Sequence, residues 1–244
     1  PLVAKSQAVF ERHRSGGVDR TTRIDDAEQL VALARTWGEE FDVTLQEYLP
    51  CEDAEDWIVH AYCDASSTCV VEFTGVKLRS WPPHAGFTTC ALSVPNDELA
   101  DIAARLVRSI GFRGILDLDF RYDRRDGKYK LLDFNPRVGA QFRLFETGAG
   151  IDVVRALHLD LTGREVPAGN QIDGRRFVLE NFDPLARIAY RHSVYVTPSA
   201  PSRTTSTELA WLAKDDVRPS LGVLAWTIRA GAGNLLRRLR THRR

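Results

Sequence analysis

Gly114-Ile115-Leu116-Asp117-Leu118-Asp119-Phe120-Arg121-Tyr122, a turn at Asp126-Gly127, and then Tyr129-Lys130-Leu131-Leu132-Asp133-Phe134-Asn135-Pro136-Arg137 is the stretch that decides the fold. The first arm alternates, with Leu116, Leu118 and Phe120 facing one way and Asp117 and Asp119 the other. The return arm sets Leu132 and Phe134 against Asp133 and Asn135. Both apolar sets must reach one core, which fixes the register to within an even shift. Centring the turn on Asp126 puts Asp119 opposite Asp133 and Asp117 opposite Asn135. Opposed carboxylates repel, so the arrangement is poor for stability alone. A divalent cation between them reverses the sign. Mg²⁺ takes hard oxygens, commonly one or two carboxylates completed by water and substrate phosphates, and the Asn135 amide suits a further position.

Outward from this hairpin, the chain reads as alternating strands and helices. Leu2 to Lys5 fits a short strand, and Asp25 or Asp26 caps a helix to about Trp37, with Leu30, Val31, Leu33 and Ala34 on its apolar side and Gly38 as its stop. Val43 to Tyr48 is a strand ended by Pro50; Trp57 to Cys63 and Thr68 to Leu78 are two more. Ser80 to Gly86 reads as a loop, and Asn96 to Ile110 as an amphipathic helix closed by Gly111. Further helices are expected at about Ala140 to Thr147 and Asp152 to Leu161. A strand at Phe177 to Asp183, a short helix at Pro184 to Tyr190 and a terminal helix from about Pro219 complete the reading.

At 244 residues and 43% apolar, the chain can bury one large core or two small lobes. Thirty-three basic and 33 acidic residues cancel, which argues against nucleic acid as the main partner. The four cysteines (Cys51, Cys63, Cys69, Cys90) lack C-x-x-C spacing, so reduced thiols and a cytoplasmic location are expected. The sequence opens on what reads as the inside of a strand and contains no Met, which suggests a missing preceding segment.

Leu131 to Arg137 resembles the acid-x-Asn-x-Arg signature of the ATP-grasp superfamily, and Leu118-Asp119-Phe120 resembles its preceding metal-ligand strand. Pro1 to Lys5 is similar to the strand bearing a phosphate-contacting Lys, and Gln46 to Pro50 to the hinge where adenine docks. Lys77-Leu78-Arg79 with Pro82-Pro83 and Gly86 resembles a stand-alone carboxylate–amine ligase branch, near the D-aspartate-ligase-like enzymes. The resemblance covers roughly Pro1 to Pro167.

It implies an α+β fold of two lobes with antiparallel sheets and ATP bound between them. Residues 1–48 would be an N-terminally truncated lid lobe, 49–168 the large lobe with the metal hairpin, and 169–244 a C-terminal extension with a basic helix. Residue by residue, it implies Asp119, Asp133 and Asn135 on Mg²⁺ (or Mn²⁺), and Lys5 on the ATP phosphates. Glu47 and Tyr48 would lie at the adenine, and Glu55 or its neighbour Asp56 on the ribose. Arg137 and Arg79 would hold the γ-phosphate, the substrate carboxylate or the acyl phosphate between them. Guanidinium forks match those groups, and phosphoryl transfer needs positioning and charge neutralisation more than an acid–base pair.

The sequence departs from the family in two ways: both metal acids are Asp where Glu is commoner, and the glycine-rich lid shrinks to Ser15-Gly16-Gly17; the preceding substrate-side domain is expected to be the missing segment. The function implied is an ADP-forming ligase joining small-molecule carboxylate and amine substrates. The rivals are a non-catalytic ATP-binding or regulatory module and a bicarbonate-activating enzyme of the carbamoyl-phosphate or biotin-carboxylase kind. The end of the chain gathers Arg229, Arg237, Arg238, Arg240, Arg243 and Arg244 beside a broken apolar side. A helix docked on the body with a solvated arginine tail is the favoured reading there, and weak contact with an anionic membrane surface the other.

Overall fold

The structure is a computed structural model, and it describes residues 1–6, 22–36, 43–84, 86–191, 204–213, 215–227 and 229. The chain divides into two compact units, Pro1–Pro50 and Cys51–Arg244. The short lid Ser15-Gly16-Gly17, the helix stop Gly38 and most of the terminal arginines lie outside the described residues.

In the first unit, β1 (Leu2–Ser6) runs antiparallel between β2 (Thr22–Ile24) and β3 (Val43–Glu47). α1 (Ala27–Ala34) begins where the Asp26 carboxylate accepts the Gln29 amide, satisfying a donor that the helix itself leaves open. Its Leu30 and Leu33 pack on Ala4 and Ile24, whereas Val31 and Ala34 stay exposed. A core this small covers only a narrow stripe of the helix.

The second unit is one seven-stranded sheet in the order β10-β9-β6-β5-β4-β7-β8. β4 (Ala54–Cys63), β5 (Cys69–Trp81) and β6 (Phe87–Ser93) form an antiparallel run, followed by α2 (Asp97–Ile110). β7 (Gly114–Asp123) and β8 (Lys128–Asn135) add the hairpin to the free side of β4. After α3 (Val153–Leu161), β9 (Arg175–Val178) joins β6. Then α4 (Asp183–Tyr190) leads to β10 (Ser206–Leu209), which lies parallel to β9 and carries the C-terminal extension into the same sheet.

Each face of the sheet has its own core. α2 is capped by Asn96 and closed by Gly111 in the left-handed conformation, as its sequence signals require. It seals Leu99, Ala103 and Val107 against Trp57, Val59, Leu116, Leu118 and Phe120. Each of the larger aliphatic side chains buried here stabilises the fold by about 1.5–3 kcal/mol. On the opposite face, Val153 and Ala156 of α3 pack with Ile58, Tyr62, Phe73, Leu144 and Phe145.

Two sequence expectations are corrected. The helix expected at Ala140 to Thr147 is a single 3₁₀ turn, Phe142–Leu144. Leu144 and Phe145 are successive residues that are both buried, so the chain dips into the sheet rather than presenting one helical face. β6 was unrecognised, and β5 runs on to Trp81 inside the expected loop. From Thr88 to Ser93 every β6 residue is buried, so there is no alternation to read. Among the described residues, no helix is long and apolar enough to cross a membrane. The terminal helical stretch, residues 218–227, exposes Leu221, Leu224 and Trp226.

Candidate functional site

β7 and β8 pair with Asp119 opposite Asp133, Leu118 opposite Phe134 and Asp117 opposite Asn135. The route to those rungs differs from a plain hairpin. Nearer the turn the pairing runs from Asp123 with Lys128 to Phe120 with Leu131, and a bulge at Leu132 then slips β8 by one residue. On the other side of β7, β4 sets Ile58 opposite Asp119, His60 opposite Asp117 and Asp56 opposite Arg121. Paired residues share a face. One end of the α3-side face therefore carries Asp56, His60, Asp117, Asp119, Asp133 and Asn135, while Ile58, Tyr62 and Phe73 continue it as apolar core.

Lys77 of β5 reaches over β4, and its Nζ lies 2.6 Å from Asp119 Oδ1. Burial alone would lower the Lys77 ammonium, but Asp119, Asp56 and Asp117 outweigh it and raise the pKa. Asp119 moves up as well, through burial and then the charges of Asp117 and Asp133, against the pull of Lys77. A simple ion pair would raise the lysine and lower the acid. Here burial lifts the acid first, and one ammonium is shared among several carboxylates, so the pull of Lys77 does not bring Asp119 down. The locus is rich in negative charge, and a divalent cation there would relieve it.

Beside this group lies a buried pair. His60 Nε2 is 3.0 Å from Asp117 Oδ1, and both side chains are buried. Burial pushes the Asp117 carboxyl up, but His60, Lys77 and Arg137 outweigh it and hold it below its ordinary range. A Cβ on Gly139 would stand 2.5 Å from Asp117 Oδ2 and 2.7 Å from His60 Cε1. Only glycine lets the chain beyond β8 close this tightly over the pair. The Phe145 ring, 5.0 Å from that of His60, completes the cover.

Among the described residues, no three His, Cys, Asp or Glu side chains converge on one point. The oxygen set on offer is two opposed carboxylates and an amide two residues on along the same face, which fits a Mg²⁺ ion that shares its coordination sphere with phosphates.

No family model matches the chain. A D-aspartate ligase of Enterococcus faecium (strain Aus0004) is 26% identical over 120 residues, which are 48% of this chain and 28% of the ligase. The biotin carboxylase domain of Hydrogenobacter thermophilus 2-oxoglutarate carboxylase, solved with MgADP, ADP and bicarbonate, is similar in structure. Its TM-score is 0.50 at 13% identity, over 70% of this chain and 38% of that one. A Campylobacter jejuni biotin carboxylase in a β,γ-ATP complex gives 0.50 at 14%, over 69% and 38%. The fold is that of the ATP-grasp superfamily. The likeness to the carboxylases carries the fold alone, and the chain spans less than two fifths of each of these three proteins.

Within the ATP-grasp fold, the residues expected at the site fall into three groups. Asp119, Asp133 and Asn135 are together on the hairpin, with Arg137 at its end donating to Asn135 Oδ1 at 3.1 Å and to the Val138 carbonyl at 3.2 Å. Lys5, Glu47 and Tyr48 belong to the first unit. Lys5 is opposite Thr44, Glu47 is exposed, and the Tyr48 ring carries the Arg23 guanidinium 4.2 Å above its centre. Glu55 and Arg79 already have close protein partners. Glu55 accepts from Trp57 Nε1 at 3.1 Å and Arg124 at 2.5 Å, on the α2 side of β4. Arg79 grips Asp183 bidentately at 2.7 and 3.0 Å, so it would have to release α4 to hold a ligand. Asp56 is likewise paired with Arg121, at 2.7 and 3.1 Å.

Sequence reasoning gave no role to Lys77 or His60. The usable signal was a charged or titratable side chain on the inward parity of a strand, Lys77 with Gly75 and Phe73, and His60 with Ile58 and Tyr62. That parity is visible only once the strands are registered.

Proposed function

We propose that this chain is the nucleotide- and Mg²⁺-binding core of a ligase that uses ATP to activate a carboxylate for attack by an amine. The observation that carries the reading is the acid rung itself, Asp119 opposite Asp133, with Asn135 two residues on along the same face and Lys77 leaning over it. The similarity to a D-aspartate ligase supports the amine-ligase form over bicarbonate activation, because the carboxylase likeness extends to the fold only.

In this reading Asp119, Asp133 and the Asn135 amide oxygen hold the metal ion, whose charge offsets that of the ATP phosphates. Lys77 presents an ammonium to the transferred phosphate from the other side of Asp119. Being a compact point charge on a flexible stem, it can follow that group as charge moves. Arg137, exposed at the end of β8, offers a guanidinium fork to the acyl phosphate or to the carboxylate that forms it. The carboxylate attacks the γ-phosphate to give an acyl phosphate and ADP, and the amine then displaces phosphate from the acyl carbon. In the first unit, Lys5 contacts ATP phosphates, and Glu47 and Tyr48 flank adenine. Glu55 is the ribose acid only if Arg124 gives way; otherwise its pairing is structural.

The test is thermal unfolding with ATP and Mg²⁺, against ATP and EDTA, for the wild type and Asp133→Ala. A ligand at about 100 times its Kd stabilises the fold by roughly 2.7 kcal/mol. The expected result is a Mg²⁺-dependent rise in Tm that is lost in Asp133→Ala. An equal rise in the variant would remove the hairpin from the site.

A further inference from the structure

At the C-terminal end of β4, Cys63 and Cys69 face each other as one rung of the β4–β5 ladder. Their Sγ atoms are 3.3 Å apart. The Asp64 amide donates to the Thr68 carbonyl at 3.0 Å, which makes Cys63–Cys69 a non-hydrogen-bonded rung, the kind in which side chains approach most closely. The tight turn between them is fixed by Asp64, whose carboxylate accepts the Ser66 and Thr68 amides at 2.8 and 2.9 Å. The two thiols are therefore held together by the ladder and by the turn, and about 1.3 Å of approach separates them from a disulfide at ~2.05 Å. Cys51 and Cys90 are also free thiols.

We propose that Cys63 and Cys69 form a reversible cross-strand disulfide, a modification site whose oxidant is a small-molecule disulfide such as oxidised glutathione. Cys69 is only partly buried and reacts first, Cys63 being 1% exposed. The Cys69 thiolate attacks one sulfur of the reagent, forming a mixed disulfide and expelling one thiolate. Cys63 then gives up its proton and attacks Cys69 Sγ, forming the Cys63–Cys69 bond and expelling the second thiolate. Two protein thiols are oxidised, one disulfide is reduced to two thiols, and the protons leave with them. The hydrogen bond shared with Cys63, then burial, then Glu72 push the Cys69 thiol up. Thiolate is therefore scarce at Cys69, and exchange is slow compared with that of an activated cysteine.

The bond lies three residues along β4 from His60 and five from Ile58, the neighbours of the two acid rungs, roughly 10 and 17 Å at strand rise, and it belongs to the α2-side core on the opposite face of the sheet, so it leaves the acid rungs in place. The test treats the full chain with oxidised glutathione, alkylates the remaining thiols and maps the peptides by mass. The expected result is a linked Cys63–Cys69 peptide pair, lighter by two hydrogens, with no glutathione retained on either residue and full reversal by a dithiol. Cys63→Ala removes the resolving thiol, so Cys69 then keeps glutathione. Cys69→Ser, at the more exposed position, abolishes the link and leaves Cys63 to be alkylated on unfolding. Glutathione retained on wild-type Cys69, or both thiols alkylated under conditions that modify Cys51, would overturn the proposal. Any Mg²⁺-nucleotide response is expected to survive oxidation, so the outcome is independent of the functional reading above.

Discussion

Lys77 is the residue on which the charge balance of the acid face turns. It is largely buried, and it reaches across β4 to Asp119, 2.6 Å away. Removing the ammonium strands a carboxylate that already sits above its ordinary range through burial and its acidic neighbours. Lys77→Met is therefore expected to cost about 3 kcal/mol of stability, read by urea unfolding in EDTA. Lys77→Met with Asp119→Leu removes both charges and is expected to cost less than Lys77→Met alone. A single variant as stable as the wild type would show that water, not Lys77, compensates Asp119. The same reasoning gives Gly139 its importance. Its missing side chain is what allows the segment after β8 to cover Asp117 and His60.

The elements show why the sequence disclosed some of this and concealed the rest. α2 was legible because Asn96, the apolar spacing of Leu99, Ala103 and Val107, and Gly111 all give the same answer. The acid rungs were legible because alternation fixes parity. The bulge at Leu132 was not, and the expected rungs emerged because its one-residue slip offsets a turn centred half a residue before the assumed Asp126. β6 was hidden by burial on both faces, and Lys77 and His60 by the need to know which strands are neighbours. The interface of β5 with α2 holds a further titratable group. Glu72 has a buried Oε1 with no hydrogen-bond partner, and burial, then Asp101, push its carboxyl up to about 7 against the pull of Arg108. Between its ordinary 4.5 and about 7 the folded chain holds a proton that the unfolded chain has lost, so this group's contribution to stability falls as pH rises through that window. Glu72→Gln removes the dependence. It is expected to exceed the wild type by about 1–3 kcal/mol at about pH 8, with the gap closing towards the lower end of the window. Urea midpoints at the two pH values decide it, and a variant weaker than the wild type at the higher pH would contradict the burial argument.

For the whole molecule, the question is whether the C-terminal extension is an appendage or part of the sheet. Arg79 holds Asp183 at the start of α4 in a bidentate pair, and the Tyr190 hydroxyl at its end accepts the Ser80 and His84 amides at 3.1 and 3.2 Å. The Glu180 carboxylate accepts three successive amides after β10, those of Ala210, Trp211 and Leu212. Arg175 of β9 lies between Glu146 at 2.9 Å and Glu208 of β10 at 3.6 Å. These contacts tie residues beyond 169 to strands and loops far earlier in the chain, and β10 covers an edge that β9 would otherwise expose. A chain ending at Arg203 loses β10 and the donors to Glu180, and is expected to lose about 2–3 kcal/mol and to self-associate through β9. A chain ending at Thr227 keeps every one of these contacts and sheds only the arginine-rich end, so its urea midpoint is expected to match that of the full chain. Equal midpoints for all three would mean that the sheet ends energetically at β9. A fall in the longer truncation alone would separate the structural strand from the basic tail and assign the arginines to a role other than folding.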